Sequence, residues 1–327
     1  MKRNKLVNLG FPLFIDAEKD MHTKPKSTTD SWYIRFNFEH EGRQIGMEWH
    51  QMIIRAIPVM KLSFADFLVM DATNDIYHSH TACGMVSKDA NATPGKCQCI
   101  SKMGVFEGDA TKMTLKLLAD EDACNLTFRP TGDVHANGGT GLLPILGAMS
   151  YQYSFPNAVV SGTLTLGGET IQVHDAIAWF DRQYTNATGK NINPNWLWLG
   201  CCLDPDNKIS ISLWDGVNFA EGTTTGMATI RDENGVHSEH VVDFAYHESW
   251  ESSKTGNCYP RDFTVSIPTA DFAVEMHTIQ SEPEFQKAYG PIHMNGCQAL
   301  CTMKGHYKDI QIDRVEIVEM LGDLCGE

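Results

Sequence analysis

SWYIRFNFEHEGRQIGMEWHQMIIR, residues 31–55, decides the fold class. Trp32, Ile34, Phe36 and Phe38 fall on one face of an extended chain, and Tyr33, Arg35 and Asn37 fall on the other. Successive side chains of a strand point to opposite sides, so this period of two marks a strand with one buried face. The turn HEGR (His40 to Arg43) leads into a second strand-like run, and the stretch reads as a hairpin. SGTLTLGGETIQVHD, residues 161–175, repeats the design. Its Gly167-Gly168 pair supplies the positive φ that a two-residue turn requires.

The rest of the chain follows suit. LDPDNKISISLW (203–214) turns around Pro205-Asp206-Asn207 into a strand. ATIRDENGVHSEHVVDFAY (228–246) is a hairpin with Asn234-Gly235 at its tip, and FTVSIP, FAVEMHTI and IQIDRVEIVEM complete the strand set. Helical pattern is confined to Phe64–Val69 and Glu282–Ala288, each long enough for a short helix or turn. Short strands separated by Gly, Asn and Asp turns predict an all-β barrel or sandwich. At 327 residues the chain has room for two such units, expected at 30–172 and 173–327 behind an N-terminal arm, 1–29.

Composition narrows the partners. Lys+Arg number 26 against 41 Asp+Glu, a formal charge of -15, which repels nucleic acid and anionic membrane surfaces. No apolar run approaches the ~20 residues of a transmembrane helix, so no membrane insertion is expected. Lys2, Arg3 and Lys5 precede LVNLGFPLFI, but Asn8, Gly10 and Pro12 interrupt that run, and Asp16, Glu18 and Asp20 follow where a cleavage site should be. This reads as the arm of a cytoplasmic protein. The 10 Cys are sparse for an oxidised scaffold, and all are expected to be free thiols in a reducing compartment. Asn91, Asn125 and Asn186 head N-x-T triplets that read as chance matches. Gly138–Pro144 reads as a loop without the Lys-Ser/Thr of a phosphate cradle or the third glycine of a dinucleotide fingerprint, and no cofactor is expected.

Three segments together resemble one family. They are residues 31–55, then YQYSFPNAVVSGTLTLGGETIQVHDAIAWFDRQY (151–184), then ESSKTGNCYPRDFTVSIP (251–268) through MNGCQALCTMKGHYK (294–308). The tracts Tyr153-Ser154-Phe155-Pro156, Ser161-Gly162-Thr163-Leu164 and Ala178-Trp179-Phe180-Asp181-Arg182-Gln183 carry most of the likeness. The chain resembles the carotenoid hydratase (hydroxyneurosporene synthase) and AttH-like lipocalin superfamily, which includes kievitone hydratase and fungal lipocalin-like Diels–Alderases. The resemblance implies two consecutive lipocalin-like antiparallel β-barrels with a ligand cavity between or inside them. It also implies cofactor-free chemistry on a hydrophobic polyene, flavonoid or polyketide substrate. Two departures stand out: Ala288-Tyr289-Gly290-Pro291 replaces the family's Tyr-Trp-Glu-Gly, and Tyr184 replaces its Trp.

The candidate chemistry centres on Asp181. On a strand from Ile177 to Tyr184, Trp179, Asp181 and Gln183 share one face, and Ala178, Phe180 and Arg182 share the other. A carboxyl buried between an indole and an amide keeps its proton to higher pH, as a proton donor near neutrality requires. The competing reading pairs Asp181 with Arg182 or another cation as a barrel-seam brace. Gln183, with His50 or Tyr153, is expected to hold the substrate oxygen or water. Glu48 shares the strand face of His50 and reads as an outward polar residue. Trp179, Trp198, Trp214 and Tyr246 are candidate walls of a pocket for a flat or conjugated ligand. His78-Ser79-His80, Cys97-x-Cys99 and Cys297-x₃-Cys301 lack metal-site spacing, and no metal is expected. The function expected is hydration, dehydration or isomerisation of a hydrophobic conjugated or phenolic small molecule. The alternatives are a Diels–Alderase-type cyclase and a non-catalytic carrier of an apolar ligand.

Overall fold

The structure is a computed structural model that describes residues 15–57, 60–85, 95–145, 148–185, 195–204, 206, 208–218, 223–239, 241–289 and 292–325. Asn91, Pro205, Asn207, Asn186, His240 and Gly290-Pro291 lie outside the described residues. The first group of strands is β1 (Thr29–His40), β2 (Arg43–Ile57), β3 (Met60–Asp71), β4 (Ile76–Met85), β5 (Cys97–Ile100), β6 (Gly104–Asp109), β7 (Lys112–Ala119), β8 (Asp122–Pro130), β9 (His135–Ala136), β10 (Leu142–Ile145), β11 (Ala148–Leu166) and β12 (Glu169–Thr185). The second is β13 (Trp196–Cys202), β14 (Ser210–Asn218), β15 (Thr223–Asp232), β16 (Gly235–Glu239), β17 (Asp243–Glu251), β18 (Cys258–Ile267), β19 (Phe272–Thr278), β20 (Glu284–Tyr289), β21 (Ile292–Tyr307) and β22 (Ile310–Leu321).

Each group forms one antiparallel sheet. The first runs β4-β3-β2-β1-β12-β11-β8-β7-β6-β5, with β9 and β10 also on β11. The second runs β16-β15-β14-β13-β22-β21-β19-β18-β17, with β20 also on β21. Both curl around their own cores, as expected of lipocalin-like units. Trp49 of β2 packs on Phe106 of β6 at 4.6 Å between ring centroids, although five strands separate them in the sheet. Two of the three hairpin turns read from sequence fall where expected; the third has Glu233-Asn234 at its tip, with Gly235 already paired to Asp232. Glu41-Gly42 and Gly167-Gly168 take positive φ, with values of 51°, 78°, 55° and 85°.

Several expectations are corrected. The division at 172/173 cuts through β12, which belongs wholly to the first sheet; the sheets part between Thr185 and Trp196. Phe64–Val69 lies inside β3 and residues 284–288 inside β20. In β3 both faces are buried: Ala65, Phe67 and Val69 enter the first core, while Leu68 and Met70 pack against the second sheet. Apolar residues on both faces conceal the period of two. The ten cysteines are not all free. Cys258 and Cys325 form a disulfide with Cα atoms 5.3 Å apart, across a sequence separation of 67 that no local pattern reveals. The other eight are thiols.

The N-terminal arm closes the first barrel. Met21 is fully buried in its core. The Trp32 indole donates to the Met21 carbonyl at 2.8 Å, Arg182 donates to the His22 carbonyl at 2.8 Å, and the Tyr184 hydroxyl donates to Asp20 at 2.6 Å. Met21 thus fills part of that barrel's interior, and a cavity among the described residues lies between the sheets.

Candidate functional site

Register places a row of polar side chains across the first sheet. Asp66 (β3), His50 (β2), Tyr33 (β1), Asp181 (β12) and Ser154 (β11) are directly opposed, strand to strand. Directly opposed residues point to the same side of a sheet, and this side faces the second sheet. There the matching row is Trp214 (β14), Trp198 (β13), Glu319 (β22) and Gln298 (β21). The Tyr33 hydroxyl crosses the gap to donate to Gln298 Oε1 at 3.1 Å. Lys287 of β20 reaches Asp66 at 2.6 Å, and Arg35 of β1 reaches Glu316 of β22 at 3.0 Å.

Between the rows is a cavity of about 90 Å³. Its polar wall includes His50, Gln152, Asp181, Gln183, Lys287 and Glu319; its apolar wall includes Met52, Trp196, Trp198, Trp214, Met294 and Leu321. That space suffices for a few waters. A larger ligand must displace side chains, and the unbranched Met52 and Met294 are the most adaptable of the wall.

Asp181 is 5% exposed and held by three donors. The Ser154 hydroxyl and the Trp179 indole, the latter at 2.8 Å, donate to Oδ1; the Gln152 amide donates to Oδ2 at 3.1 Å. Burial raises its pKa to about 6, against the lowering effect of those three hydrogen bonds. The Asp181–Arg182 pairing is not formed. Arg182 lies on the opposite face, 2.5 Å from Asp30 and stacked on Trp32. Glu319 is pushed by burial to about 7, against Lys287, which lowers it; the Asp181 charge adds to the rise. Burial drives His50 down to about 3, with Lys287 adding to the drop, so its imidazole is neutral at physiological pH. Burial works to lower the Lys287 ammonium, but Asp66 and Glu48 outweigh it and hold it above the ordinary lysine value. Burial also lifts the Tyr33 phenol well above its ordinary range, and it remains a donor.

The predicted residues separate cleanly. Asp181, Gln183, His50, Trp198 and Trp214 line one cavity, and Trp179 stands behind Asp181 and against Trp198. Tyr153 does not reach it. This residue is opposed to Arg182, faces the first core, and donates to Met21 Sδ at 3.3 Å. Nor does Tyr246, whose hydroxyl donates to Asp215 at 2.6 Å on the far side of β14 from Trp214. Glu48 is buried rather than outward, because its face of β2 meets the second sheet. Sequence reasoning missed Glu319, Lys287, Gln152 and Ser154. Gln152 and Ser154 carried a signal, alternating with the aromatic Tyr151, Tyr153 and Phe155. Among the described residues no group of three His, Cys, Asp or Glu side chains is arranged to hold a metal. No helix among them is long and apolar enough to cross a membrane.

The AttH-like family model matches residues 14–299. The chain belongs to this family. It is 26% identical over 231 residues to the dehydratase asqC of Emericella nidulans, a match covering 67% of this chain and 63% of that protein. It is 27% identical over 148 residues to the kievitone hydratase of Fusarium solani subsp. phaseoli, covering 44% of this chain and 41% of that protein. The matches thus span less than two thirds of these relatives. The crystal structure of kievitone hydratase from Nectria haematococca superposes with a TM-score of 0.76 at 18% identity, covering 94% of this chain and 93% of that one. At that identity the superposition shows a shared fold.

Proposed function

We propose that this AttH-like protein is a hydro-lyase that adds water to, or removes it from, a hydrophobic conjugated or phenolic small molecule held between its two sheets. The observation that carries the reading is Asp181: a buried carboxyl, raised to about 6, opening into a tryptophan-walled cavity. Glu319 stands on the opposing sheet with its own pKa near 7. Near neutral pH such a pair can hold one proton between two groups, one poised to give and one to take. In the hydration direction, a carboxylate takes a proton from water as the water oxygen bonds to carbon. The alkene electron pair takes a proton from the other acid at the neighbouring carbon. Dehydration is the reverse. The names of the relatives, a dehydratase and a hydratase, support this class of reaction. Tyr33, Gln183 and neutral His50 orient the substrate, and Trp196, Trp198 and Trp214 supply its apolar contacts.

The test is Asp181→Asn, assayed against a panel of polyphenols, polyenes and polyketides by the mass change of one water. General acid–base catalysis contributes about 10²–10⁴-fold, and turnover should fall by that factor while the variant stays folded and binds ligand. Near wild-type turnover by a folded variant rejects the reading. Product formation without mass change would favour a shape-driven cyclase or an isomerase.

A further inference from the structure

The donors around Asp181 distinguish its two oxygens. Oδ1 accepts from both Ser154 and Trp179, whereas Oδ2 accepts from Gln152. Asn137 Nδ2 donates to Ser154 Oγ at 3.0 Å, so the Ser154 proton is committed to Asp181. Oδ1 is thereby saturated, and Oδ2 is the oxygen with capacity to exchange a proton. Gln152 is fixed in turn. An ionised carboxylate only accepts, so the amide nitrogen of Gln152 must face Oδ2. Its amide oxygen then points elsewhere. Gln152 is 1% exposed and lines the cavity, and its Oε1 meets no protein donor. Leaving a buried amide oxygen unpaired is unfavourable, so this position calls for a donor from a ligand. Gln183, by contrast, is only half-buried, and its amide nitrogen already donates to Ser150 at 3.3 Å.

We propose that Gln152 Oε1 and Asp181 Oδ2 together bind the water that reacts in this cavity, and the hydroxyl that leaves in the reverse direction. The proposal deepens the hydro-lyase reading and rests on it for the word reacts; the binding site itself does not. A water there gives one hydrogen to Gln152 Oε1 and the other to Asp181 Oδ2. Its lone pairs are left for the substrate carbon. As the carbon–oxygen bond forms, the O–H bond on the Oδ2 side breaks and that proton passes to Asp181. Gln152 is a positioning residue throughout: it holds the water and tethers the base by opposite ends of one amide.

Crystal structures of the ligand-free protein near pH 7.5 test this with water as the probe. The wild type should show an ordered water within about 3.2 Å of both Gln152 Oε1 and Asp181 Oδ2. Gln152→Met should lose it with Asp181 in place, and Gln183→Met should keep it. Gln152→Asn, which retains an amide but withdraws it by one methylene, serves if Gln152→Met does not fold, and should also lose the bridging position. No water between these atoms in the wild type, its persistence in Gln152→Met or Gln152→Asn, or its loss in Gln183→Met would each overturn the assignment. None of these outcomes depends on turnover, so failure here is distinct from failure of the hydro-lyase reading.

Discussion

Asp181→Asn should make the protein more stable at alkaline pH while abolishing most of its turnover. The folded state raises the carboxyl from its ordinary 3.8 to about 6. A raised carboxyl binds its proton more tightly folded than unfolded. Its ionisation therefore costs stability, with none of that cost present well below the unfolded value and all of it present once pH has risen through the folded value. The difference is about 1 kcal/mol at pH 4.5 and about 3 kcal/mol at pH 8. Asparagine keeps the shape and the polarity of the neutral acid and escapes the cost. At roughly 2.1 cal/mol/K per residue of unfolding entropy, 327 residues convert about 3 kcal/mol into a Tm rise of about 4 °C at pH 8. Thermal melts of both proteins at pH 4.5 and pH 8 are the assay. The gap should widen with pH, in the direction of a functional group kept at the expense of stability. Destabilisation at pH 8 would instead mark Asp181 as a structural ion-pair partner and rule out a raised, unpaired carboxyl.

Three further outcomes follow. Ser154→Ala removes a hydrogen bond that lowers the Asp181 pKa, so the Asp181 titration should move above 6; an unchanged midpoint would show that the hydroxyl does not bind the carboxylate. Lys287→Met strips the buried Asp66 of its ammonium, which at 2.6 Å and 4% exposure should cost about 3–5 kcal/mol in denaturant unfolding; the double variant with Asp66→Asn should recover part of that loss, and no recovery would mean the two are not coupled. Thiol labelling under denaturing, non-reducing conditions should find eight reactive cysteines and two blocked, with ten reactive groups showing that Cys258 and Cys325 are not bonded.

The strands were legible because their alternation is local. Trp32, Ile34 and Phe36 enter the first core as their period of two demands, and Gly167-Gly168 turns where positive φ is needed. The face shared by Trp179, Asp181 and Gln183 was legible for the same reason. What sequence did not reveal is that this outer face meets a second sheet. Tyr33, Arg35 and Glu48 read as polar, outward side chains, yet packing of two sheets buries all three. Glu319 and Lys287 belong to strands more than 100 residues beyond Asp181, and only the cross-sheet arrangement brings them to its cavity. Tyr153 failed as a candidate because its side of β11 is set by pairing with Arg182, a register that its own neighbours do not encode.

If Asp181 exchanges a proton near neutral pH in the cavity between the sheets, its own titration shows it. The Trp179 indole donates to Oδ1 at 2.8 Å, so its N–H resonance in a ¹⁵N-labelled sample reports the charge on the carboxyl. That resonance should titrate with a midpoint near 6, as burial sets it, and the titration should disappear in Asp181→Asn. A midpoint below 4, in the ordinary carboxylate range, would contradict it.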